Sequence, residues 1–326
     1  MIELWLRMEY LKEIRTFILK GTNAPEDEVQ AATYLIARLE RLCVEFSKTD
    51  RNRLSKELGE LTRENEIDDL EGDALERACE VTGELSSIEG IERQIKSDTL
   101  NLIALNYLIR GASREQIIDE LKDESWFFKH EVLTRWCWSS AQKKAAQKGD
   151  PFNRIYLCEV GPDQGRTNLD REFFTYLTFM PHYQERFQEG YLICKYNGVE
   201  THTSPDFISI NDDGDQLGIE VTEVRESDSD DFDAQENEGL ASENGYRDDE
   251  MEYRTIRAVY RRIEKKISGQ QPAVTPCLLI IYDNTRLLGT DYRKLIKITE
   301  AKMETNPQDH FREIWLIDDQ QSIKLK

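Results

Sequence analysis

A chain of 326 residues, 39% hydrophobic and 9% aromatic, is long enough for two globular domains that each bury a core. Its formal net charge of −21 argues against a protein that coats nucleic acid by bulk electrostatics, because that attraction needs Lys and Arg against phosphate. No stretch reaches the roughly 20 uninterrupted apolar residues of a membrane span, and the opening "MIELWLRMEYLKEIR" is charged throughout, unlike a secretory leader. No membrane association is expected, and the expected location is the cytoplasm. The six cysteines carry no CxxC pair and are expected to be reduced and packed, which argues against zinc.

Residues 1–150 read as an α-helical domain. "APEDEVQAATYLIARLERLCVEF" opens on Pro25 and acidic residues, and Leu35, Leu39, Leu42 and Phe46 recur at helical spacing. "GDALERACEVTGEL" and "GIERQIKSDTLNLIALNYLIRG" repeat the amphipathic pattern. The stretch "NLIALNYLIRGASREQIIDELKD" has the outline of a helix-turn-helix, with a turn at Gly111 and Ser113 and Gln116 placed as a capping box. Its second helix displays Glu115, Asp119 and Glu120 where a groove-reading helix needs donors and cations, so an ordinary helical hairpin is the better reading. "SWFFKHEVLTRWCWSSAQKKAAQKGD" closes the domain.

From Pro151 to residue 326 the pattern is mixed α/β. "FNRIYLCEV" reads as a strand, "NLDREFFTYLTFMPHYQERFQ" as a helix and "YLICKYNG" as a strand. "SPDFISINDDGDQLGIEVTEV" then reads as a β-hairpin turning at "NDDGD". A turn centred on Asp213 sets Asp206 opposite Glu220. Leu217, Ile219 and Val221 share one face with Phe207, while Glu220 and Thr222 take the other. Opposed carboxylates are destabilising unless something resolves the repulsion, and a cation would. An acidic loop at about 225–252 follows: residues 223–252 hold 13 acids against two arginines. It reads as a solvated insertion, or as a regulatory segment covering a basic groove. The basic helix "EYRTIRAVYRRIEKKISG", the apolar strand "PCLLIIYDN", another helix and the strand "EIWLIDD" complete the chain.

The order helix, strand, strand with Pro205-Asp206, strand "IEVTE", helix, strand resembles the PD-(D/E)xK nuclease superfamily, the restriction-endonuclease-like fold, over about residues 165–283. The resemblance implies that Asp206 and Glu220 bind Mg²⁺ or Mn²⁺, a role that hard carboxylate oxygens suit. It also implies a further acid on the first core helix. Glu172 fits that position best, ahead of Glu185 and Glu189, and is equally readable as a helix-start charge. Thr222 stands where the family has its lysine. A lysine from the following helix is the expected substitute: of Lys265, Lys266 and Arg262 one turn away, Lys265 is favoured narrowly, the other reading being that these cations meet only DNA backbone or solvent.

The function this implies is metal-dependent hydrolysis of phosphodiester bonds in nucleic acid, DNA rather than RNA, in antiviral or mobile-element conflict. The helical N-terminal domain would recognise a partner protein or form a homodimer. The competing reading is a nuclease-like scaffold without activity, or an acidic mimic of DNA. The four histidines are far apart with no HExxH, and no GxGxxG, Walker A or GxSxG motif occurs.

Overall fold

The structure is a computed structural model. It describes residues 12, 14–16, 26–63, 72–147, 168–187, 190–197, 205–224, 258–259, 261–266, 276–283, 311–317 and 322–325. The chain divides into two compact units, Met1–Ser113 and Arg114–Lys326. The acidic loop, the strand expected at 152–160, the helix expected after "PCLLIIYDN", Glu189, His202 and His310 lie outside the described residues.

In the first unit the long helices are α1 (Glu26–Ser47), α2 (Arg51–Leu61) and α3 (Gly72–Arg110). α1 buries Ala32, Leu35, Ile36 and Leu39, a stripe at i, i+3, i+4 and i+7, and packs on α3. The Asp50 side chain caps α2 by accepting from the Arg53 backbone N–H at 3.0 Å. Two expected helical segments join in the single helix α3, because residues 86–89 between them hold no proline or glycine and Gly83 and Gly90 cost only about 1 kcal/mol each in a helix that packing supports. α3 ends where Gly111 adopts a φ of +69°. Within this unit Asp98 is fully buried and pairs with Arg38 at 3.1 Å. Burial holds its carboxyl above the usual range despite Gln94 and Arg38.

The second unit combines α4 (Arg114–Glu120), α5 (Trp126–Gln147) and α6 (Asn168–Phe187) with a six-stranded mixed sheet. α4 and α5, which the sequence pattern grouped with the helices before them, therefore cluster with the sheet. The reason is side-chain chemistry that periodicity does not register. Arg114 Nε donates to the Ile193 carbonyl at 2.8 Å, and Trp138 Nε1 donates to Asp170 Oδ1 of α6 at 2.9 Å. The Trp126 ring also lies against Gly190, where a Cβ would come within 2.3 Å of Trp126 Cδ1.

The strands are β1 (Leu192–Tyr196), β2 (Phe207–Ile210), β3 (Gln216–Val224), β4 (Cys277–Asp283), β5 (Phe311–Ile317) and β6 (Ser322–Lys324), in sequential order across the sheet. β1, β2 and β3 are antiparallel neighbours, β3, β4 and β5 run parallel, and β6 is antiparallel to β5. One face of the sheet is covered by α6, whose Phe173, Tyr176, Phe179, Met180 and Tyr183 are fully buried. Each such side chain contributes roughly 1.5–3 kcal/mol of burial. The other face is covered by the basic helix, described at 258–259 and 261–266, with Ala258, Val259 and Ile263 packed on Val224, Leu279 and Ile281. β4 is nearly all apolar and β5 largely so, with Arg312 and Glu313 as its charged residues, as suits strands covered on both faces.

His130 of α5 is fully buried beside α6. Its ring stacks on Trp126 at 5.0 Å and tilts against Tyr176 at 5.4 Å, and neither ring nitrogen has a hydrogen-bond partner among the described residues. Burial, reinforced by Arg135, lowers its pKa to about 3. No helix among the described residues is long and apolar enough to cross a membrane.

Candidate functional site

The hairpin has the register that its turn predicts. Phe207 pairs with Ile219, Ile208 with Gly218 and Ile210 with Gln216. Asn211 closes the turn: its carbonyl accepts from the Gly214 N–H at 3.1 Å, and its Oδ1 accepts from the Asp215 N–H at 2.8 Å. Gly214 sits at a φ of +85°, a conformation that costs glycine little and most side chains more. This turn decides which residues meet at the far end of the hairpin, where Asp206 directly precedes β2 and Glu220 lies within β3.

Alternation along β3 directs Leu217, Ile219 and Val221 toward the α6 face, where Phe207 packs against Phe173 and Tyr176 and Ser209 hydrogen-bonds Tyr176 at 2.6 Å. Glu220, Thr222 and Val224 take the face covered by the basic helix. There the Lys266 ammonium donates to Glu220 Oε1 in a partly buried ion pair. Lys265 is exposed. Helical geometry decides between them: Lys266 stands three residues after the fully buried Ile263 and shares its face, while Lys265 is turned about 160° from Ile263 at 3.6 residues per turn. The cation that sequence order narrowly favoured, Lys265, is therefore not the one at the carboxylates.

Asp206 accepts from the Val221 backbone N–H at 2.7 Å through Oδ2. Burial, then the charges of Glu220 and Glu172, raise its carboxyl well above the ordinary range, and the Val221 amide and Lys266 oppose that shift only in part. Glu172, in the second turn of α6, is raised first by burial and further by Glu220. The Tyr196 hydroxyl, which donates to Glu172 Oε2 at 2.7 Å, and Lys266 act against it. The Cys277 thiol of β4 is pushed up by burial and by Glu220 and Asp206. Glu172, Asp206, Glu220 and Lys266 thus lie within electrostatic reach of one another, brought from a helix, a strand start, a strand centre and a second helix.

Among the described residues no three His, Cys, Asp or Glu side chains converge closely enough to enclose a metal ion. The donor set nevertheless suits a hard cation, since Mg²⁺ takes one or two carboxylates and completes its shell with water and phosphate oxygen. Burial first, and then the neighbouring Glu220 and Glu172 charges, raise the Asp206 carboxyl, and Lys266 offsets that shift only in part. Sequence reasoning missed Tyr196, Asn197 and Cys277. Asn197 donates its backbone N–H to the Asp206 carbonyl at 2.9 Å and its side-chain Nδ2 to the Pro205 carbonyl at 2.7 Å. Only the "YN" that ends "LICKYN" could have signalled the first two, and nothing in that dipeptide identifies a carboxylate partner. No family model, curated protein or solved structure matches the chain.

Proposed function

We propose that the second unit is a nuclease domain of restriction-endonuclease-like fold that hydrolyses phosphodiester bonds in nucleic acid, with dependence on Mg²⁺ or Mn²⁺. One observation carries the reading: Glu172, Asp206 and Glu220 gather beside the Lys266 ammonium at the end of a hairpin whose register its turn predicts. The order α6, β1, β2, β3, basic helix, β4 supports it, being the order on which the resemblance rests.

Asp206 and Glu220 would hold the cation, with Glu172 as a further oxygen donor reaching it through water. Bound there, the ion would supply the positive charge that activates water and stabilises a phosphorane. The chain's own groups supply the rest. The Val221 N–H fixes the Asp206 carboxylate, and the Lys266 ammonium, on the same face as Thr222, stands in for the missing motif lysine as the cation facing developing phosphate charge. DNA as the preferred substrate, a setting in conflict with viruses or mobile elements, and a partner-binding or dimerising role for the N-terminal helices rest on the resemblance.

The test is incubation of purified protein with labelled DNA and RNA in Mg²⁺, Mn²⁺ or EDTA. Metal-dependent cleavage by the wild type that Asp206→Asn and Glu220→Gln abolish is the expected result. A second reading, an inactive nuclease-like scaffold or acidic nucleic-acid mimic, is favoured by Thr222 at the motif position and by Lys266 being tied to Glu220. Intact folding with no cleavage of either polymer in either metal would replace the first reading by the second.

A further inference from the structure

β1 is irregular at one position, and the irregularity controls its last side chains. Leu192 pairs with Ile210 and Ile193 with Ser209, but Lys195 then pairs with Ile208 and Tyr196 with Phe207, so that Cys194 is the extra residue of a bulge. In an uninterrupted register Tyr196 would stand opposite Asp206 and point away from α6, because a one-residue slip exchanges the faces of a strand. The bulge instead places its ring against Phe173 (4.8 Å between centroids) and Phe207 (5.1 Å). The Ile193 carbonyl beside the bulge is satisfied by Arg114.

From that position consecutive residues hold the Glu172 carboxylate and the backbone that carries Asp206. Tyr196 donates its hydroxyl to Glu172 Oε2 of α6, and Asn197 holds the Pro205 and Asp206 carbonyls. Ring packing alone would be met by phenylalanine, so the hydroxyl has a separate role. By engaging Oε2 it fixes the orientation of the Glu172 carboxylate.

We propose that Tyr196 and Asn197 form a clamp that sets the position of Glu172 relative to Asp206, which makes Tyr196 a positioning residue for cation binding at the carboxylate site. The inference rests on the nuclease reading of that site. Partners that orient carboxylate ligands from outside the coordination sphere govern roughly 10- to 100-fold in metal affinity.

Isothermal titration with Mn²⁺ tests it. Tyr196→Phe keeps the ring, so its melting temperature without metal should stay near wild type while Mn²⁺ affinity falls roughly tenfold. If the hydroxyl acts through Glu172, Tyr196→Phe adds no further loss in a Glu172→Gln background. Excess Mn²⁺ should then restore kcat of Tyr196→Phe, as the loss of a catalytic group would not permit. Unchanged affinity, or a full additional loss in the Glu172→Gln background, overturns the clamp. A wild type that neither binds Mn²⁺ nor cleaves would remove the nuclease reading instead. The clamp is then judged on metal-free protein carrying fluorotyrosine at position 196: a fluorine resonance that shifts on Glu172→Gln sustains the contact, and one that does not move refutes it.

Discussion

Replacement of His130 by phenylalanine should change how the stability of the second unit depends on pH. The ring is fully buried between Trp126 and Tyr176 with no hydrogen-bond partner among the described residues, and burial lowers its pKa from the ordinary 6.5 to about 3. A group whose folded pKa is depressed stabilises the fold above its unfolded pKa, and that stabilisation is lost as pH falls through 6.5 toward the folded value. With these two pKa values the linkage integral gives a loss of about 2 kcal/mol between pH 8 and pH 5, approaching on the order of 5 kcal/mol near pH 3. Asp206 and Glu172 act in the opposite sense, because their raised pKa values make the fold bind protons more readily than the unfolded chain. The informative quantity is therefore the difference between wild type and His130→Phe. Urea unfolding followed by tryptophan emission suits the measurement, since Trp126, Trp136, Trp138 and Trp315 all lie in the second unit. The variant should lose about 2 kcal/mol less than wild type between pH 8 and pH 5. Parallel curves across that range would refute the argument, whatever uniform offset the larger ring introduces.

Asp206→Asn should raise the metal-free melting temperature near neutral pH by roughly 2–4 °C, on the order of 1 kcal/mol, because it removes a buried charge that Glu220 and Glu172 oppose; a lower melting temperature would contradict that electrostatic picture. Lys266→Met should cut cleavage about 100-fold and, its ammonium being about a third exposed, destabilise by only about 1–2 kcal/mol. Lys265→Ala should change stability by less than about 0.5 kcal/mol, and an equal loss of cleavage there would mean that the wrong lysine is at the site. Arg38→Met should cost about 3 kcal/mol by removing the Arg38 charge from buried Asp98 and leaving it the Gln94 hydrogen bond, with most of the loss recovered in the Arg38→Met, Asp98→Leu double variant in chemical denaturation. Gly190→Ala should cost about 1–3 kcal/mol in the same assay, since its Cβ would lie 2.3 Å from Trp126 Cδ1, and a neutral result would show that the indole can move aside.

Much of this protein is legible from local chemistry alone. The turn "NDDGD" determines the register of β2 and β3 through Asn211 and Gly214, and with it the opposition of Asp206 and Glu220. Periodicity determines the helices and the strongly apolar β4, because a side chain's face follows from its place in a regular element. Features that depend on contacts between elements distant in sequence are decided only by the tertiary structure. The spacing of "RRIEKK" offers two lysines, and only the burial of Ile263 on the sheet turns Lys266 toward Glu220. Composition groups α4 and α5 with the helices before them, whereas the Arg114 and Trp138 hydrogen bonds draw them to the sheet unit. The bulge at Cys194 has no signature in "LICKYN", yet it reverses the face of Tyr196 and so lets its hydroxyl reach Glu172. A strand's alternation is a local property, but the register against its neighbour is set by what the neighbouring residues bury.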